Sequence, residues 1–267
     1  MQRLDFLKNV RIGIDIDGCI TDHDATFCRY WNKLNPAGAP LAPSDLAERS
    51  FTDPPAEERK ITARIFHDAR YWIELPTARG ASGVIQQLMA WGAHVRLFTA
   101  RWLDYAWMET HPAERLAFWE ERRAYAPVAS RYEELTWWIR AVTTEWLRRN
   151  HIPYDVLILD NAKSGATDRF AMAGGGMLDV MIDDNPRNVR RLAEHVPVLM
   201  PDHWYNREVR LLDGRVPIRV GWHSDVMAPD TWRGIGECIA ILAGAPPVEI
   251  YGDILRELAA MELEPAL

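Results

Sequence analysis

Arg11-Ile12-Gly13-Ile14-Asp15-Ile16-Asp17-Gly18-Cys19-Ile20-Thr21 reads as a short buried strand that runs into two carboxylates and then turns. Apolar or small residues precede Asp15, and residues two apart on a strand share a side, so Asp15 and Asp17 are expected to project together from its carboxyl end. Gly18 lets the backbone turn sharply or approach a ligand closely. Two carboxylates so near one another repel unless a cation lies between them. The arrangement predicts a hard divalent metal, with Mg²⁺ the first choice.

The rest of the chain bounds what can be built around that strand. Its 267 residues suit one large domain or a core with a smaller second one. An apolar content of 48% is enough for a sizeable core. The net charge of −7 argues against a general nucleic-acid binder and against adhesion to anionic membranes. It leaves room for a local cationic pocket. Residues 1–11 show no apolar signal-peptide core, and no stretch approaches the roughly 18 apolar residues of a membrane span. Cys19, Cys28 and Cys238 form neither a zinc pattern nor a disulfide framework, and Cys19 reads as a small buried residue. A cytoplasmic location is expected.

Five segments read as buried strands of a parallel sheet: 10–14, 94–98, 155–159, 178–182 and 196–200. Helical patterns separate most of them, at 82–91, 144–150 and 188–194. The alternation predicts an α/β fold: an open, parallel, Rossmann-like sheet with helices on both faces. Residues 22–79 read as a small helical cap inserted after the first strand, with helical patterns at 25–34 and 55–68 and a Pro/Ala/Gly connector at 35–43. The catalytic core is expected at 1–21 and 80–245, with a tryptophan-rich helical insertion at 103–139 and a C-terminal helix and tail at 246–267. The insertion's Trp107, Trp119, Trp137 and Trp138 are expected to pack internally or at a subunit contact, which leaves a homodimer open. The glycines at 174–176 read as a local flexible turn and carry no dinucleotide fingerprint.

Open α/β sheets bind ligands outside the carboxyl ends of their strands. Four strand ends carry suggestive groups: Asp15 and Asp17; Thr99-Ala100-Arg101; Asp160-Asn161-Ala162-Lys163-Ser164; and Asp183-Asp184-Asn185. Converged, they offer a nucleophilic carboxylate, a neighbouring acid, a hydroxyl, an ammonium and an acidic pair. Phosphate-monoester hydrolysis needs such a set.

This ordered series (Asp-x-Asp-Gly-x-x-Thr, then Thr, then Lys, then Asp-Asp) resembles the haloacid dehalogenase-like phosphatase superfamily. Ile182-Asp183-Asp184-Asn185-Pro186-Arg187-Asn188, Pro197-Val198-Leu199-Met200 and Trp204-Tyr205-Asn206-Arg207 resemble more narrowly its 5'(3')-deoxyribonucleotidase-like branch. The likeness spans about residues 10–22, 70–102 and 143–235. The insertion and the glycine run depart from the compact members.

The resemblance implies an Mg²⁺-dependent hydrolysis of a small phosphorylated metabolite. Asp15 would attack phosphorus and form an aspartyl-phosphate. Asp17 would protonate the leaving alkoxide and then take a proton from water. Thr99 would hydrogen-bond the phosphoryl group, with Ala100 and Arg101 beside it. Lys163 would neutralise charge on nucleophile and phosphate. Asp184, helped by Asp183, would hold Mg²⁺ with the Asp15 carboxylate and the Asp17 carbonyl. Electrostatic stabilisation and in-line positioning would dominate the rate gain.

Plainer readings stand beside these. Thr99 alone suits a helix N-cap, and Asp183-Asp184 suit the start of a helix at Asn185-Pro186, which is compatible with metal binding. Lys163 could be a surface lysine, and Arg101 could pair with an acid. Phe27, Trp31, Tyr71 and Trp72 could stack on a nucleobase or form the cap's own core. His67, His94, His111, His151, His203 and His223 show no metal-ligand spacing and receive no role. The leading function is a (deoxy)nucleoside monophosphate phosphatase. The alternatives are a phosphatase for a non-nucleotide metabolite and a non-catalytic phospho-ligand binder. A dehalogenase does not need Asp17 or the acidic pair. A polynucleotide end-phosphatase, and stable nucleic-acid binding generally, lack a basic stripe.

Overall fold

The computed structural model describes residues 7–48, 56–101, 131–159, 175–201, 203–211, 217–220 and 231–243. Among the described residues, six strands form one sheet: β1 (Arg11–Asp15), β2 (His94–Thr99), β3 (Val156–Leu159), β4 (Val180–Ile182), β5 (Val198–Pro201) and β6 (Ile218–Val220). Every pairing is parallel, and the order is β3-β2-β1-β4-β5-β6. This is a doubly wound, Rossmann-like α/β sheet, as the alternating pattern predicts. The chain winds outward from β1 through β2 to β3, then returns to β4 on the other side. The order therefore reverses between β1 and β4, where such sheets open a crevice at their carboxyl ends. β6 is the strand that sequence reading does not anticipate. Ile218-Arg219-Val220 is too short, and Ile218 too exposed, to show a buried-strand pattern.

Register assigns the faces. Gly13 pairs with Arg96 and Met181, and Met181 pairs with Val198, so these lie on one face with Phe98 and Met200. That face packs into a cluster with Val189 and Leu192 of α6 (Pro186–Leu192). A Cβ on Gly13 would come within 2.6 Å of Leu178 Cδ1, so a larger residue would have to displace the side-chain ends packed over it. The opposite face carries Leu199 and Val220, and Val220 meets Gly234 of α7 (Thr231–Leu242). α7 also packs on α4 (Ala81–Ala90). Val84, Ile85 and Leu88 of α4 are buried at helical spacing. A ten-residue helix is marginal alone, and burial of such side chains, about 1.5–3 kcal/mol each, holds it in place.

Contacts between residues divide the chain into two compact units. The sheet unit comprises 1–22, 76–99 and 150–267. The second comprises 23–75 and 100–149, so helix α5 (Arg131–Arg149) groups with the expected cap segment. This second unit also holds α1 (Asp24–Leu34), α2 (Ala56–Phe66) and α3 (Ala69–Glu74). Asp68 caps α3 by accepting a hydrogen bond from Arg70 N at 2.9 Å. α5 runs unbroken through residue 139, where the insertion is expected to end, and it absorbs the helix expected at 144–150. Trp138, Ala141, Val142 and Trp146 form one buried stripe, which gives the continuous helix a single packing face. Trp107, Trp119 and the C-terminal helix and tail expected at 246–267 lie outside the described residues.

Among the described residues, no helix is long and apolar enough to cross a membrane. Gly175 and Gly176 are held by buried Arg96, which donates to both carbonyls, at 2.8 Å for Gly176. Burial, and then the neighbouring Arg11 charge, push the Arg96 guanidinium below its ordinary pKa.

Candidate active site

β1 ends at Asp15, yet the ladder continues one step further: Ile16 N donates to Phe98 O at 2.9 Å. The backbone then folds over itself, with Ile20 N and Thr21 N both donating to Ile16 O at 2.9 and 3.0 Å. Thr21 Oγ1 accepts from Gly18 N at 3.1 Å and donates to Ile16 O at 3.2 Å. Gly18 has φ +88°, a left-handed conformation that favours glycine. A Cβ there would also sit 2.6 Å from Asp184 Cγ. Gly18 is therefore required twice, for its backbone and for the approach of the β4 carboxylate.

Asp183 and Asp184 follow β4 directly, opposite the Asp15 end of β1. Asp15, Asp183 and Asp184 are all buried, and each offers an oxygen within 4.8 Å of the others. Three buried carboxylates so placed are a hard-oxygen donor set of the kind that suits Mg²⁺. Asp183 is oriented by Asn185 N at 2.9 Å and by Asn188 Nδ2 at 3.3 Å. Asn185 in turn caps α6, accepting from Arg187 N at 3.0 Å, so capping and the acidic cluster coexist. Asp17 is held by a different partner. Its Oδ2 accepts from Thr99 Oγ1 at 2.5 Å, and Thr99 is fully buried.

The structure thus brings Asp15, Asp183 and Asp184 together, and joins Asp17 to Thr99. Lys163, with the whole 160–164 motif, lies outside the described residues. Ala100 and Arg101 belong to the second unit, as do Tyr71 and Trp72. Arg101 is buried, its guanidinium 5.1 Å above the rings of both Trp72 and Trp146. Tyr71 is fully buried. His23 Nδ1 lies 2.7 Å from its hydroxyl, and the rings of Tyr30, Phe66 and Trp72 surround it. Trp72 stacks on Phe66 and donates its Nε1 proton to Phe66 O at 2.8 Å. Phe27 and Trp31 are buried as well. These aromatics pack against one another within their own unit.

His203 receives no role from sequence and sits at the site nonetheless. Gly18 O accepts a hydrogen bond from His203 Nε2 at 2.6 Å, so Nε2 carries the ring proton. Tyr205 donates its hydroxyl proton to Asp184 Oδ2. Asn206 Nδ2 donates to Asp184 O at 3.0 Å and to Pro201 O at 2.9 Å. Trp232 Nε1 donates to Cys19 O at 3.0 Å, and Cys19 Sγ lies 3.7 Å from Asp184 Oδ1. The only sequence signal for these partners is the 204–207 run; His203 and Trp232 stand in no motif.

No protein-family model matches this chain, and no curated protein matches it. Solved structures similar to it include three bacterial proteins. One is described as a HAD family hydrolase from Deinococcus radiodurans, with bound phosphate and sodium: 16% identity, 97% of this chain and 99% of that one covered, TM-score 0.39. A second is described as a haloacid dehalogenase-like hydrolase from Burkholderia xenovorans: 13% identity, 85% and 96% covered, TM-score 0.41. A third is described as a phosphatase from Clostridium difficile: 9% identity, 73% and 85% covered, TM-score 0.38. Likeness at this level assigns no activity, which has to come from the chain's own residues.

Proposed function

We propose that this chain is a haloacid dehalogenase-like phosphatase that hydrolyses a small phosphomonoester. The observation that carries the reading is the cluster of buried Asp15, Asp183 and Asp184 at the switch point of a parallel sheet, with Asp17 held by Thr99 beside it. The carboxylates of Asp15, Asp183 and Asp184, with the Asp17 carbonyl, would hold Mg²⁺, which neutralises charge between nucleophile and phosphoryl group.

Asp15 attacks phosphorus, and the bond from phosphorus to the ester oxygen breaks. Thr99 donates to Asp17 Oδ2, and Asp17 delivers a proton to the leaving alkoxide. Asp17 then removes a proton from the water that hydrolyses the aspartyl-phosphate. Burial of Asp15 and Asp184 limits competing water and strengthens each electrostatic contact. Lys163 supplies the remaining positive charge, a role that rests on motif order. A (deoxy)nucleoside monophosphate is the proposed substrate, on the resemblance of 182–188 and 204–207, and a magnesium-loaded soluble phosphatase is the proposed form.

Phosphate release across nucleotides, sugar phosphates and other phosphorylated metabolites tests the reading. Turnover is expected with Mg²⁺, lost with chelator, and reduced to background in Asp15→Asn. Hydrolysis that survived in Asp15→Asn would exclude the proposed nucleophile.

A further inference from the structure

One short turn touches both sides of the carboxylate cluster. Residues 203–206 close on themselves: His203 N donates to Asn206 Oδ1 at 3.0 Å, and Asn206 N donates to His203 O at 3.1 Å. Arg219 of β6 anchors the turn, donating to Asn206 Oδ1 at 3.1 Å and to Asn206 O at 2.6 Å. From this anchor His203 Nε2 reaches Gly18 O in the β1 loop, and the Tyr205 hydroxyl reaches Asp184 Oδ2 after β4. The two rings stack, with centroids 4.8 Å apart and planes 18° from parallel. β1 and β4 are the strands between which the sheet order reverses.

We infer that Tyr205 and His203 are positioning residues for the metal site, setting the Asp184 carboxylate and the Gly18 backbone at a fixed separation. Resting on the magnesium-phosphatase reading, the inference deepens it. Tyr205 is 39% exposed, and its hydroxyl makes a charge-assisted hydrogen bond to Asp184. A carboxylate that binds a metal gains affinity when its other lone pairs are held, because the orienting cost is met before the ion arrives. Asp15, Asp183 and Asp184 also repel one another in the metal-free protein, and a donor on Asp184 keeps that carboxylate from rotating away. The turn thus pre-forms a cation site from β6 inward. Neither residue touches the reacting atoms; both act through Asp184 and Gly18.

Calorimetric titration of the full chain with Mg²⁺ alone, in wild type, Tyr205→Phe and Asp184→Asn, tests this. Tyr205→Phe keeps the ring stack and removes only the hydroxyl. It is expected to bind Mg²⁺ about 10-fold or more weakly, a larger loss than any fall in the thermal midpoint of the metal-free protein accounts for. Its turnover is expected to recover as Mg²⁺ is raised, with KM for the phosphomonoester unaltered. Binding equal to wild type overturns the inference while leaving the phosphatase reading intact. So does a loss of affinity matched by a fall in the metal-free midpoint, which would mark a structural role. A wild-type chain that takes up no Mg²⁺, like Asp184→Asn, overturns the function reading and the inference with it.

Discussion

Thr99 Oγ1 donates to Asp17 Oδ2 across 2.5 Å, so the carboxyl end of β2 holds the second aspartate of the β1 motif. Both ends of this contact are fixed by the sheet: Thr99 is the last residue of β2, and the ladder from β1 extends to Ile16, one residue before Asp17. Thr99→Val keeps the shape and removes the proton. Loss of one hydrogen bond to the half-buried Asp17 carboxylate costs about 1 kcal/mol. A kcat loss of about 10- to 100-fold is expected from general acid-base catalysis alone. Steady-state kinetics on the best substrate, beside a denaturant titration, measures both.

Gly18→Ala is expected to be more damaging than its size suggests. The left-handed φ of +88° costs a non-glycine residue about 1 kcal/mol or more. The new methyl must also displace the Asp184 carboxylate, whose Cγ lies 2.6 Å from its position. Mg²⁺ affinity and turnover should fall together. Wild-type Mg²⁺ affinity in the Gly18→Ala chain would show that Asp184 has freedom to move.

Trp232→Phe probes how the loop is held from behind. Trp232 is fully buried, and its Nε1 proton satisfies Cys19 O at 3.0 Å. The phenylalanine removes that donor and leaves a small void beside the carbonyl, so stability should fall by about 1–3 kcal/mol. Equilibrium unfolding in urea, followed by intrinsic fluorescence, reports the shift.

Acid stability carries a signature from α5. Hydrogen bonds from Arg148, with opposing burial and then those from Arg149, bring the Glu145 carboxyl down from 4.5 to about 2. A depressed folded pKa stabilises the fold above the unfolded value and loses that contribution as pH falls from about 4.5 toward about 2. The arginines are exposed, so solvent screening limits the effect to about 0.5–1 kcal/mol. Glu145→Gln should therefore be less stable than wild type at pH 7 and indistinguishable near pH 2. Unfolding midpoints at the two pH values check this.

His203→Leu should uncouple the β1 loop from the turn. Gly18 O loses its donor at 2.6 Å, and the Tyr205 ring loses its stacking partner. Weaker Mg²⁺ binding and faster amide hydrogen exchange at residues 18–21 are expected, the second being a readout independent of turnover.

What could be read directly from the chain was local. β1 declares itself because its apolar run ends in carboxylates two residues apart, and α4 because Val84, Ile85 and Leu88 repeat at 3.6-residue spacing. Asp15, Asp17, Thr99, Asp183 and Asp184 were accessible through strand ends, since a parallel sheet brings those ends to one edge. α7 gives only a weak helical signal in the sequence because it holds Gly234 and Gly236, although Gly234 is what allows close contact with Val220. The 19-residue α5 does not read as one helix in the sequence because its buried stripe is carried by tryptophans scattered among charges.

The amino-acid order by itself determined a parallel α/β sheet with an acidic edge, because side-chain periodicity and turn chemistry act over a few residues. Only the tertiary structure decided which groups meet. His203 lies 185 positions from Gly18, Trp232 lies 213 from Cys19, and Thr99 lies 82 from Asp17. No local pattern encodes such pairs. They follow from strand order, which sets β1 between β2 and β4 and so makes neighbours of residues distant along the chain.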